Sequence, residues 1–185
     1  MGLFDSIKKA AGDVAKTVGV GNKSVDVVFE ALPDDLAGFK ALPQAALSNP
    51  YDTAAMTVLA LCFYPHDKEA SLAMLDYLRG PRPLSGVDKQ FIRDRFMDKD
   101  YVPRSYFHGA TPQNDYAPSE PYTITVSENP HSKIDENMLR VFIRSGGADS
   151  PRQVDLRLAK DGKWYLWEQY LLPDIRQPES ANPWA

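Results

Sequence analysis

At 185 residues, 43% hydrophobic and 25% charged, the chain carries enough apolar content for one ordinary folded domain with extensions. Its formal net charge of −4 divides evenly: 12 basic and 14 acidic side chains in residues 1–100, 9 and 11 in the remainder. It therefore lacks the basic field that nucleic-acid binding needs. A single cysteine excludes an intramolecular disulfide, and no apolar run approaches the ~18 residues of a membrane span.

The chain opens with GLFDSIKKAAGDVAKTV, residues 2–18, where Leu3, Phe4, Ile7, Ala11, Val14 and Val18 recur at steps of three and four. That spacing predicts an amphipathic helix with one apolar stripe. Lys8, Lys9 and Lys16 against Asp5 and Asp13 leave it at +1, and they break up the apolar region a secretory signal requires. The expected compartment is the cytoplasm, with peripheral attachment at the inner membrane face as an extension of it. The stripe needs a cover: a membrane surface, a protein partner or second copy, or the chain's own body. Lys8 and Lys9 join the stripe residues as the candidate membrane- or partner-binding set.

Gly19, Gly21 and Asn22 break the pattern. Residues 1–20 are thus a separate helix and 21–47 a connector with short elements. VDVVFEAL at 25–32 fits either a strand or a helical turn. Pro33 and two aspartates then open a short helix with Leu36, Phe39 and Leu42 on one side, limited by Pro43.

The body, residues 48–172, starts with a capping Asn49 before Pro50, followed by DTAAMTVLALCFY, apolar nearly all round. Cys62 in that run is expected to act as a small buried hydrophobe. A second helix, DKEASLAMLDYL, ends at Arg79-Gly80-Pro81. A third starts at Ser85, with Asp88 in the capping-box position.

From Tyr101 the pattern turns to strands: YVPRSYF, YTITVS, MLRVFIRS, QVDLRLAK and KWYLWEQY, the last two joined through Asp161-Gly162. Helices followed by strands predict an α+β fold, with N-terminal helices packed on one face of an antiparallel sheet of about five strands. Residues 173–185 read as an extended proline-rich tail, anchored on the body or a partner by Trp184.

Candidate chemistry is sparse. His66, His108 and His131 each lie beside proline or glycine in a loop, without metal-ligand spacing. His108 stands at the mouth of the long 108–121 loop, where Asp115 and Tyr116 are placed to join it in a polar pocket. Strand alternation puts Arg140 and Arg144 on one face of MLRVFIRS and Arg157 on the polar face of QVDLRLAK. Aligned, these guanidiniums would form a surface for carboxylate or phosphate, with Asp155 and Glu168 as the competing cross-strand partners. Gly146-Gly147 offers an anion nest to the same surface. No nucleophile elbow, phosphate loop or paired-carboxylate motif is present, so no catalytic residue, metal or cofactor is expected.

Four segments are familiar together: SNPYDTAAMTVLALC, DKDYVPRSYFHGATPQNDY, IRSGGADSPRQV, and GKWYLWEQYLLPDIRQP with the terminal NPWA. Over roughly residues 25–185 the chain resembles an uncharacterised bacterial family, a domain of unknown function. The resemblance implies a bacterial cytoplasmic protein and carries over no activity. The leading expectation is a non-enzymatic interaction module whose N-terminal helix mediates membrane-surface or protein association. The alternative is a small-ligand-binding domain or cryptic enzyme with a pocket between sheet and helices.

Overall fold

The computed structural model describes residues 23–184. The predicted helix at 2–18, with its candidate binding residues, lies outside them.

Five strands form one antiparallel meander in sequence order: β1 (Ser24–Phe29), β2 (Tyr122–Ser127), β3 (Met138–Ile143), β4 (Arg152–Leu158) and β5 (Trp164–Gln169). Helices α1 (Leu36–Ala41), α2 (Pro50–Cys62), α3 (Lys68–Arg79) and α4 (Gly86–Phe96) occupy the stretch between β1 and β2. The α+β reading and its one-sided layering hold. Val27, Ile124, Val126, Val141, Ile143, Val154, Leu156 and Leu166 point into the core with α2, and among the described residues no helix covers the other face of the sheet.

The helix boundaries follow from local chemistry. Asn49 Oδ1 accepts from the Asp52 N–H at 2.9 Å, and Pro50 takes the position where no N–H is needed. In α4 the Ser85–Asp88 capping box is complete, each side chain bonding the other's backbone N–H. Helix α2 is buried from Pro50 to Leu61, apart from half-buried Asp52, because the sheet covers one side and α3 another. Small residues and bonded hydroxyls make that tolerable. Thr53 donates to Trp164 O at 2.7 Å, Thr57 to Thr53 O, and Ser71 of α3 to Ala60 O at 2.8 Å. Cys62 is half-buried, and desolvation pushes its thiol up to about 12, which keeps it a neutral packing group.

Two expectations change. The count of five strands is right, but its members differ. VDVVFEAL resolves into strand β1, which pairs with all of β2 from Ser24↔Ser127 to Phe29↔Tyr122. YVPRSYF is not a strand. Pro103–Tyr106 is a single 3₁₀ turn, entered by Val102 in helical backbone. Val102, Pro103, Ser105, Tyr106 and Phe107 are all buried, so the segment lacks the alternation of a strand covered on one face. Pro103 also has no N–H to give a ladder.

Stretch 21–47, read as a connector, joins the core through Val27, Phe29, Phe39, Ala45 and Leu47. The tail does so through Ile175. Trp184 does not anchor it on the described body, since the side chain is 93% exposed.

Candidate functional site

Strands β2 and β3 pair only at Val126↔Ile143 and Ser127↔Phe142, then part. The 105–110 segment fills the fork. Its His108 N–H donates to Thr123 O at 2.9 Å, and Gly146, just beyond β3, donates to Ser105 O at 2.8 Å. The wedge fits because residues 146 and 147 have no side chain. A Cβ at Gly146 would lie 2.0 Å from Ala110 O, and one at Gly147 would lie 2.1 Å from the Tyr116 hydroxyl. The glycine pair is there for close approach. The expected anion nest is not formed: Gly146 N–H is committed to Ser105 and Gly147 N–H to Ser145 Oγ at 3.0 Å.

The wedge carries His108 to the outer face of the sheet, opposite α2. There Nε2 lies 2.6 Å from Thr125 Oγ1, which is 2.5 Å from Asp26 Oδ1 across the β1–β2 pair. Thr125 has one hydroxyl proton and Asp26 accepts it, so the network assigns the His108 proton to Nε2. Two open hollows, with empty volumes of about 890 and 780 Å³, meet at Thr125 and Arg144. One runs toward Lys23, Ser127 and Phe142; the other includes His108 and Ser145. Both lie on the sheet's outer face. Core side chains pack between the sheet and α2, and a separate hollow lies between α3, α4 and β5, lined by Leu75, Arg79, Asp88, Ile92 and Leu166.

The six predicted pocket residues divide among four places. His108 and Arg144 share one hollow. Arg144 is exposed and makes no ion pair among the described residues. Arg140 is spent on Asp155, the competing cross-strand pairing, through Nε–Oδ1 at 2.8 Å and Nη2–Oδ2 at 2.9 Å. The hydrogen bonds to Asp155 raise the Arg140 pKa further, so the guanidinium stays charged. Arg157 lies against Trp167, nearer the β5 edge, 4.9 Å from the ring centroid.

Asp115 and Tyr116 serve the loop's own structure. Asp115 accepts from the Ser180 hydroxyl and adopts a left-handed φ of 55°. Tyr116 is fully buried, stacks on Tyr101 at 5.5 Å and donates to Arg176 O at 2.5 Å. Burial pushes its hydroxyl up to about 12, so it remains a donor.

Sequence reasoning missed Thr125 and Asp26. The alternation of YTITVS does place Thr123, Thr125 and Ser127 on one face. Only the β1–β2 pairing brings Asp26 opposite Thr125.

Among the described residues no three His, Cys, Asp or Glu side chains group closely enough to hold a metal ion, and no helix is long and apolar enough to cross a membrane. Residues 31–179 match the family model for a domain of unknown function (DUF6935), and the chain belongs to that family. No curated protein and no solved structure matches it.

Proposed function

We propose that the chain is a binding module that uses the outer face of its sheet, at the fork between β2 and β3, to hold an anionic group. The observation that carries this is the placement of Arg144. Its guanidinium stands exposed where two hollows meet, beside His108 and Thr125. By contrast, Arg140, Arg176 and Arg82 each engage a carboxylate of the chain itself. A guanidinium forks onto carboxylate or phosphate, and Lys23 along the neighbouring hollow supplies a further cationic donor. Asp26, Thr125, Arg140, Gln153 and Asp155 share this face with Val28, Met138 and Phe142, so polar groups able to orient a ligand alternate with apolar surface.

The test is calorimetric titration of the full chain with inorganic phosphate and, separately, with malonate, which distinguishes phosphate from carboxylate. Binding that weakens about tenfold in Arg144→Ala supports the reading, a loss in line with one charge-assisted hydrogen bond. Lys89→Ala, exposed on α4 away from this face, serves as the control. Equal affinity in wild type and Arg144→Ala overturns the reading, as does the absence of heat from either anion at tens of millimolar.

Association through residues 2–18, with a membrane surface or a protein, is a second proposal that stands on the apolar stripe alone. Liposome flotation with and without residues 1–20 tests it.

A further inference from the structure

The geometry points to a second, separate site at the β5 edge, built for an aromatic ring that bears a phosphate or carboxylate. Helix α3 ends at Arg79, and Gly80 follows at a positive φ of 56° with the Tyr165 ring in the space of a side chain, 2.3 Å from an ideal Cβ. Only glycine allows that contact, and it turns the chain tightly round β5. Arg79, 3% exposed, then fixes the turn by donating from Nε to Arg82 O at 3.0 Å and from Nη1 to Trp167 O at 3.3 Å.

The turn delivers Arg82 to Trp167, its guanidinium 4.1 Å from the ring centroid and bonded to Trp167 O at 2.8 Å. Arg157 reaches the same ring from β4, at 4.9 Å. The two guanidiniums line one hollow with Pro81, Ala159, Tyr165 and Trp167, whose empty volume is about 410 Å³.

Charge and shape together select the ligand. Arg82 has one carboxylate, Glu168 at 3.3 Å, while Arg157 has none among the described residues, its guanidinium meeting the Trp167 ring and Met138 Sδ at 3.8 Å. Two cations against one ring repel each other, and an anion at Arg157 relieves that. The hollow's walls are mainly apolar, so a bare phosphate leaves most of them uncovered. A flat ring fills them and stacks on a guanidinium or on Tyr165. Trp167 is held at a bulge between β4 and β5, where register shifts at Asp155/Leu156, the irregularity by which a strand re-aims a side chain.

The experiment titrates the full chain calorimetrically with phenyl phosphate, benzoate and inorganic phosphate, using wild type, Arg157→Ala, Arg144→Ala and the variant carrying both. The expected result is binding of phenyl phosphate or benzoate that persists in Arg144→Ala, where the first site no longer contributes, and weakens about tenfold when Arg157→Ala is added to that variant. Inorganic phosphate at the Arg157 site is expected to bind at least tenfold more weakly than the aryl anion, the ring contact supplying the difference. Arg157 is exposed, so its alanine variant should melt like wild type. The inference is overturned if neither aryl anion binds at tens of millimolar, if adding Arg157→Ala to Arg144→Ala leaves binding as tight, or if Arg144→Ala abolishes binding. It is also overturned if inorganic phosphate matches the aryl anions there. Failure of the Arg144 site leaves these outcomes readable, because the Arg157 site is read in the Arg144→Ala background.

Discussion

Arg140 and Asp155 face each other across β3 and β4, and their two parallel hydrogen bonds of 2.8 and 2.9 Å join unequal partners. The Arg140 side chain is 35% exposed and the Asp155 side chain 8%. Removing one partner therefore costs differently from removing the other. Arg140→Ala leaves a nearly buried carboxylate without its cation and is expected to destabilise by about 2 kcal/mol. Asp155→Asn leaves a guanidinium that water can reach and should cost roughly half that. Urea denaturation of both variants checks it; a larger loss in Asp155→Asn contradicts the account.

The wedge between β2 and β3 depends on two missing side chains. Gly147→Ala drives a methyl into the Tyr116 hydroxyl and to 2.8 Å from Ile175 Cγ2, both buried, and should cost about 2–3 kcal/mol by overpacking. Gly86→Ala, in the first turn of α4 with nothing near its Cβ, should be neutral or stabilise by up to about 1 kcal/mol. Thermal melts of the pair separate crowding from any general intolerance of glycine replacement.

Acid should weaken the start of α4. Partial burial pushes the Asp88 carboxyl up, but hydrogen bonds from the Ser85 backbone and hydroxyl outweigh it, with Arg79 and Arg82 adding to them. The net result lies below the usual carboxylate value. A carboxyl depressed on folding binds fewer protons in the native state. Its contribution is thus complete above the unfolded value of about 3.9 and lost as pH falls through the folded one. Asp88→Asn should therefore cost on the order of 1 kcal/mol at neutral pH and progressively less as pH falls below the unfolded value of about 3.9. A gap between variant and wild type that stays constant with pH would sink this assignment.

Deleting residues 1–20 should leave the melting temperature within about 2 °C of the full chain, because β1 begins at Ser24 and its core residues are Val27 and Phe29. If only the full chain floats with liposomes, the apolar stripe of 2–18 meets lipid. If neither chain floats and the melt is unchanged, light scattering then tests self-association. A loss of several degrees on deletion makes the segment part of the fold and removes the association proposal.

The sequence by itself determined the features whose causes lie within a few residues. The caps at Asn49, Asp67 and Ser85, the stop at Gly80-Pro81 and the Asp161-Gly162 hairpin are settled by local hydrogen bonds and allowed backbone angles. A chain expresses these wherever it folds. The alternation of the strands likewise announced which face is buried.

Tertiary structure decided the rest. VDVVFEAL became a strand because β2 offered it an edge, and YVPRSYF became a buried 3₁₀ turn because the β2–β3 fork needed filling. Arg140, Arg144 and Arg157 look alike in sequence. The first is bound to Asp155, the second stands at the mouth of two hollows, and the third rests on Trp167. Asp26, His108 and Thr125 meet although Asp26 and Thr125 are 99 residues apart. Short-range propensity holds no information about such encounters. They arise when burial of the apolar face fixes the strand register, and every polar side chain then meets whatever the opposite strand provides.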